Sequence, residues 1–273
     1  TAGAVNTNTP VIYTNPECVT SASLTTFETD CADGIDNDGN GHIDGADSNC
    51  AEAPSLQELT NDPVVNISIN SWGISAVDFN DDGYDDIFVP AYEANVKSKL
   101  FLNDGSGGFT EHQDGDLIND LFPTVASSWG DFDNDGQIDV VIANNVGSPI
   151  QLYKNNNQTF VNQSSVLVGL VDGYTHNVCF VDFDRDGWLD VFASDYFSTN
   201  FNHLYRNKGD GTMELTFGLE VVSEASNSIG AIWADVNNDG WSDCFIPNYG
   251  TSNMLYINQE GTSFSAIEMG DLS

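Results

Sequence analysis

The sequence predicts an all-β chain in which four four-stranded sheets follow one another as a repeat. Three features that share one period of roughly 52 residues predict it. An acidic nonapeptide recurs as "DFNDDGYDD" from Asp78, "DFDNDGQID" from Asp131, "DFDRDGWLD" from Asp182 and "DVNNDGWSD" from Asp235, at intervals of 53, 51 and 53 residues. An apolar run follows each copy: "IFVP" at 87, "VVIA" at 140, "VFAS" at 191 and "CFIP" at 244. A Leu-aromatic-x-Asn echo then appears at Leu100, Leu152, Leu204 and Leu255. Beyond a polar turn stand Phe109, Phe160, Met213 and Phe264.

Within one unit the order of elements follows from these features. An apolar stretch such as "SSWGDF" enters the acidic loop as the first strand, and a run such as "VVIA" leaves it as the second. The Leu-aromatic-x-Asn segment is the third strand. Turns such as "NDGSGG" and "NKGDGT" join it to the fourth, with the Gly/Asn/Asp chemistry of hairpins. Four-stranded units repeated at this length suit a β-propeller-like array better than a β-sandwich.

Ahead of the array, residues 1–27 are polar and Thr-rich and are expected to be extended. Residues 28–50, "ETDCADGIDNDGNGHIDGADSNC", form a separate module, and the array itself is expected over 55–273. "LQE" at Leu56 stands 53 residues before "FTE" at Phe109, like a surplus fourth strand. It is either a lead-in or a strand that completes a sheet on a neighbouring molecule.

Carboxylates packed so densely repel one another unless a cation neutralises them. In D-x-[DN]-x-[DN]-G-x-x-D, side chains at positions 1, 3 and 5 converge and glycine at 6 permits the sharp bend. Position 7 offers a carbonyl and position 9 a last oxygen, a hard cage that suits calcium. The first candidate set is Asp78, Asn80, Asp82, Tyr84 and Asp86. The second is Asp131, Asp133, Asp135, Gln137 and Asp139, and the third Asp182, Asp184, Asp186, Trp188 and Asp190. Asp235, Asn237, Asp239, Trp241 and Asp243 make the fourth. These are not EF-hands, because position 12 holds Val89, Ile142, Ala193 and Ile246 rather than glutamate. In the N-terminal module the register from Asp36 gives Asp36, Asp38, Asn40, His42 (carbonyl), Asp44 and Asp47, nearer to an EF-hand loop but without convincing flanking helices. Cys31 and Cys50 stand at its ends, and a disulfide between them is expected in an oxidising compartment. About five calcium ions are therefore expected, in a structural rather than a signalling role. Of the 31 aspartates, 22 lie in these five loops, so cation binding accounts for most of the acidity.

Residues 74 to 264 resemble FG-GAP/VCBS repeats, the blades of integrin α-chain propellers and of many secreted bacterial proteins. "VDFNDDGYDDIFV", "VDFDRDGWLDVF" and "HLYRNKGDGT" carry the resemblance. It implies a calcium loop between the first two strands of each blade. That family usually has more than four blades, which leaves ring closure open. The module at 28–50 resembles a Cys- and Asp-rich metal-binding motif of secreted bacterial proteins and, more loosely, thrombospondin type 3 repeats.

Composition narrows the function. Forty-two acidic residues face six basic ones, a formal charge of −36, so no basic patch exists for nucleic acid or an anionic membrane surface. No apolar run approaches the ~20 residues of a membrane span. "TAGAVNTNTP" shows no signal peptide, as expected of a mature secreted chain or a cytosolic one. No nucleophile elbow, P-loop or H-E-x-x-H is present, so no catalytic residues are expected. His42, His112, His176 and His203 lack zinc spacing, and Cys179 and Cys244 sit in apolar runs that suit buried thiols. Trp72, Trp129 and Trp233 precede the loops and are expected in the core between blades. Tyr84, Trp188 and Trp241 share loop position 7, either as a carbohydrate-stacking rim or packed over the turn. The expectation is an extracellular or cell-surface, calcium-stabilised binding, adhesion or structural protein, not an enzyme. Its partners would be a protein or glycan on a surface or matrix, with self-association as a further mode. A lectin-like propeller, a subunit of an extracellular fibre or surface layer, and a polysaccharide-active enzyme are the alternatives.

Overall fold

A computed structural model describes residues 61–145, 147–169, 172–196, 201–223 and 227–269. The expectations for 1–27, the loop at 28–50 with its Asp36–Asp47 ligands, Cys31 and Cys50, and the segment at Leu56 lie outside these residues. Residues 61–66 belong to a unit separate from the array. They form a 3-10 turn, Pro63–Val65, whose start is capped by Asp62 Oδ1 accepting from Val64 N–H at 3.0 Å.

The array begins with β1 (Ser75–Val77), β2 (Asp86–Val89), β3 (Lys99–Asn103) and β4 (Phe109–His112), an antiparallel meander in that order. The second sheet holds β5 (Thr124–Gly130) and β6 (Asp139–Asn144). After a short arm, β7 (Ser148–Pro149), it continues with β8 (Gln151–Asn156) and β9 (Thr159–Asn162). The connection onward contains β10 (Leu167–Val168) and β11 (Asp172–Gly173), which pairs back on β7. The third sheet is β12 (Thr175–Val181), β13 (Asp190–Asp195), β14 (His203–Asn207) and β15 (Met213–Leu215). The fourth is β16 (Ile232–Ala234), β17 (Asp243–Ile246), β18 (Asn253–Gln259) and β19 (Ser263–Met269). The described residues of the array are therefore all-β and propeller-like, as the repeat predicts. No helix among the described residues is long and apolar enough to cross a membrane.

The third sheet departs from the four-strand expectation. β10 runs parallel to β15, with Leu167 opposite Met213, and makes it five-stranded. A two-residue strand has no periodicity to reveal it. It forms because the connection from the second sheet passes the open edge of the third, and Leu167 buries its side chain in the core between them.

Alternation along each strand sends side chains to both faces, and both are apolar because neighbouring sheets stack face to face. Val77, Phe79, Phe88 and Leu100 of the first sheet pack on Trp129, Val140, Ile142, Tyr153 and Phe160 of the second. Phe132, Val141 and Leu152 meet Phe180, Val191, Tyr205 and Met213. Val181, Phe183, Phe192 and Leu204 meet Cys244, Ile246, Tyr256 and Phe264. Trp129 is 1% exposed and Trp233 packs edge-on to Phe192 and Phe264, as expected of core residues. Trp72 does not follow them: it is 60% exposed and stacks on Tyr92, because it lies ahead of β1 rather than within it. Cys179 and Cys244 are buried free thiols.

Candidate metal centre

Each acidic loop turns between the first two strands of its sheet, and its backbone folds around the first aspartate. Asp131 Oδ1 accepts from Asp135 N–H at 3.0 Å and Oδ2 from Gly136 N–H at 2.8 Å. Asp78, Asp182 and Asp235 make the same pair of bonds in their own loops. Two residues per loop adopt positive φ. Position 6 is always glycine, at 89° to 92° or so: Gly83 90°, Gly136 89°, Gly187 89° and Gly240 92°. Position 4, which the sequence pattern leaves unspecified, is Asp81, Asn134, Arg185 or Asn238 at 56° to 61°. Asp and Asn tolerate that region, whereas arginine does so at a cost.

Position 9 is the anchor. Asp86, Asp139, Asp190 and Asp243 are at most 1% exposed. Asp139 Oδ1 accepts from Asn155 N–H at 2.7 Å and Oδ2 from Phe132 N–H at 3.1 Å, tying the loop to the third strand. Asp190 and Asp243 repeat this with Asn207 and Phe183, and with Asn258 and Val236. Burial pushes the Asp139 and Asp190 carboxyls up to about 8, against the backbone donors that favour the charge, with the neighbouring loop carboxylates adding to the rise. Asp86 is raised to about 6, also mainly by burial.

The structure brings Asp131, Asp133 and Asp139 together, and likewise Asp182, Asp184 and Asp190. Their ligand oxygens lie within 4.8 Å of one another. Several buried oxygens at these loops have no donor: Asp86 Oδ2, Asp133 Oδ1 and Asp184 Oδ1. A buried carboxylate oxygen without a donor is costly, and a divalent cation is the group that would satisfy it. The donor set is all oxygen, so the residues fit a hard cation. Position 5 is held slightly apart, its Oδ1 accepting from position-7 N–H at 2.8 to 3.0 Å in all four loops.

The four loops divide into two classes that motif reading alone does not separate. In the second and third loops position 3 is aspartate, and a cation from the third strand reaches in. Lys154 bonds Asp133 and lies 2.8 Å from Asp135; Arg206 lies 2.5 Å from Asp184 and 3.2 Å from Asp186. Burial opposes the charge of Lys154, yet these two carboxylates hold its pKa above the usual lysine range. In the first and fourth loops position 3 is Asn80 or Asn237, and the third-strand residue is Leu102 or Ile257. With every carboxyl ionised, as a bound cation would require, three carboxylates, or four less one cation, give every loop the same formal charge of −3 over positions 1, 3, 5 and 9.

Asparagine of the Leu-aromatic-x-Asn echo has a role the sequence did not disclose. Asn207 Nδ2 donates to Leu189 O at 3.1 Å in its own loop and to Phe132 O at 2.8 Å in the preceding sheet, while its Oδ1 accepts from Gly209 N–H at 3.0 Å. Asn155 and Asn258 reach Phe79 O and Phe183 O in the same way. At loop position 7, the rings of Tyr84 and Trp188 cover Gly105 and Gly209, where a Cβ would come within 2.5 and 2.6 Å of them. Packing over the turn therefore accounts for one face of each ring.

The repeat matches the family described as FG-GAP-like repeat over residues 78–142, 131–193 and 182–246, more than half of the chain and including all four loops. The chain belongs to the FG-GAP-like repeat family. Among solved structures, this FG-GAP-like chain is similar to a crystal structure of BBS1N in complex with ARL6DN, soaked with lead, at 14% identity and a TM-score of 0.49. The similarity covers 77% of this chain and 61% of that one, so the FG-GAP-like chain spans less than two thirds of its length. No curated protein sequence matches.

Proposed function

We propose that the chain is an extracellular, calcium-stabilised propeller-like protein that works by binding, in adhesion or surface structure, and not by catalysis. The observation that carries the calcium reading is the set of buried carboxylate oxygens without a hydrogen-bond partner, Asp86 Oδ2, Asp133 Oδ1 and Asp184 Oδ1, one in each of the first three loops. In the second loop, Asp131, Asp133 and Asp139 would hold the ion, and in the third, Asp182, Asp184 and Asp190. The first and fourth would use Asp78, Asn80, Asp82 and Asp86, and Asp235, Asn237, Asp239 and Asp243. The ion supplies no chemistry beyond neutralising charge and fixing the turn. Stabilisation by sites of this kind suits calcium at about 10⁻⁴ to 10⁻³ M, the level to which extracellular modules are tuned, and this supports the extracellular assignment. Calcium binding accounts for the loop carboxylates without an acid–base role.

A thermal melt with calcium and with chelator, joined to metal analysis of the isolated protein, tests this reading. Bound calcium and a melt lowered by chelation are expected. Metal-free protein whose melting point ignores both calcium and chelator would refute it.

A further inference from the structure

Each internal sheet interface is built from the same repeat positions. On the leading face these are loop position 2 (Phe79, Phe132, Phe183), the middle of the second strand (Phe88, Val141, Phe192) and the leucine of the third (Leu100, Leu152, Leu204), all at most 6% exposed. In the fourth sheet the equivalents are Val236, Phe245 and Leu255. They are as apolar, but Val236 is 53% exposed and Phe245 and Leu255 are only half-buried. Ile232, on the same face, is 65% exposed, and Ile267 is 47% exposed. A leading face with the composition of an interface thus lies open.

The trailing face of the first sheet is its counterpart. Where the later sheets place Trp129, Phe180 and Trp233, it has Ala76, which is exposed. Ile74 beside it is 56% exposed and Ile87 is half-buried, while Val89 and Phe101 farther along the same face are buried, so the open part of this face is the end that carries β1. Hydrogen bonding marks the same two faces. Asn155, Asn207 and Asn258 each donate to the position-2 carbonyl of the preceding sheet. Among the described residues, Asn103 Nδ2 donates only within its own loop, to Asp85 O at 3.0 Å. Val236, the position-2 residue of the fourth loop, has a carbonyl that receives no such asparagine among the described residues. None of the three apolar clusters joins the first sheet to the fourth.

The geometry points to a second copy of this chain as the occupant: the first sheet of one copy docks on the fourth sheet of another, head to tail. Asn103 of one copy then meets the Val236 carbonyl of the next, and Ala76 and Ile74 cover Ile232 and Val236, continuing the internal interface across the boundary. A segment lacking a Leu-aromatic-x-Asn strand could bury Ile232 but would leave that carbonyl without its asparagine. The contact is heterologous, so it closes a ring where the rotation allows and otherwise propagates. It requires no particular metal content.

Sedimentation equilibrium of the full chain over about 1 µM to 1 mM tests it. The mass should rise above 29.5 kDa with concentration. Ile232→Glu and Ala76→Glu, at exposed positions, should each keep the native melting point and weaken association roughly 100-fold. Mixed in equal amounts, the two variants retain one complementary pair of faces and should form a dimer that neither forms alone. Should Ile232→Glu disturb the fold, Ile232→Ser replaces it with the same expectation in weaker form. A wild-type mass fixed at that of one chain overturns the inference, and is the result expected if the first sheet instead closed on the fourth within one molecule. So does an Ile232 variant that associates as well as wild type, or a mixture no heavier than its components.

Discussion

Replacing Lys154 by leucine, the residue type of the first repeat at that position, removes the tethered cation from the second loop and leaves four carboxylates there. Lys154 bonds Asp133, one of the three carboxylates that would hold the ion, and calcium–oxygen distances are about 2.4 Å. The ammonium and a bound ion would therefore be no more than about 5 Å apart. A single and a double positive charge at about 5 Å repel by about 1.7 kcal/mol even at the dielectric of water. Lys154→Leu should accordingly tighten calcium binding at this loop by roughly 15-fold. Without calcium the effect reverses. The half-exposed pairs with Asp133 and Asp135 are lost, costing about 1 kcal/mol, and the melt in chelator should fall by about 2 to 4 °C. Calorimetric calcium titration and paired melts read both effects, and Leu102→Lys in the first loop should move binding the other way. Unchanged or weaker binding in Lys154→Leu, with an unaltered melt in chelator, would show that the charge balance between the loops has no energetic meaning.

Asn207→Ala should destabilise the protein by about 2 to 4 kcal/mol, because two buried carbonyls and the Gly209 N–H lose their partner. Asn103→Ala, which lacks the bond to a preceding sheet, should cost about 1 kcal/mol less; urea melts that rank the two equally would contradict the assigned role. In the calcium-free protein, Asp139 and Asp190 keep their protons up to about 8, whereas unfolded carboxyls release theirs near about 4. The folded state then binds more protons across that window, so stability in chelator should fall as pH rises from 5 to 8. Asp139→Asn should flatten that slope, and a melt in chelator that rises with pH would reverse the sign. Burial raises the Cys179 thiol to about 12 and Cys244 well above its usual value. Both should resist alkylation at pH 8 until the chain is denatured, as peptide mass mapping would show.

The loops were legible because their chemistry is local. Asp131 to Asp139 fold around bonds that span two to seven residues, so spacing alone placed them, with Gly136 at the bend. The strand order was legible for a related reason: within the four repeat sheets each strand pairs with the next strand of its unit, apart from the added β10, and only the short β7–β11 arm among the described residues pairs across a whole hairpin. Lys154 and Arg206 could have been noticed as cations facing aspartate at position 3, while Leu102 and Ile257 accompany asparagine. Nothing in the spacing says, however, that a third-strand side chain reaches the loop.

What the sequence determined by itself is the unit: four strands, one acidic turn and a repeated apolar pattern on two faces, all set by contacts within about 30 residues of chain. Only the tertiary structure decided how units address one another. Phe79 and Asn155, 76 residues apart, meet because stacked sheets bring them to the same level, and the exposure of Val236 against the burial of Phe79, Phe132 and Phe183 depends on which faces find a neighbour. A repeating sequence specifies each of its units almost alike, and so it cannot mark which copy of an interface stays open.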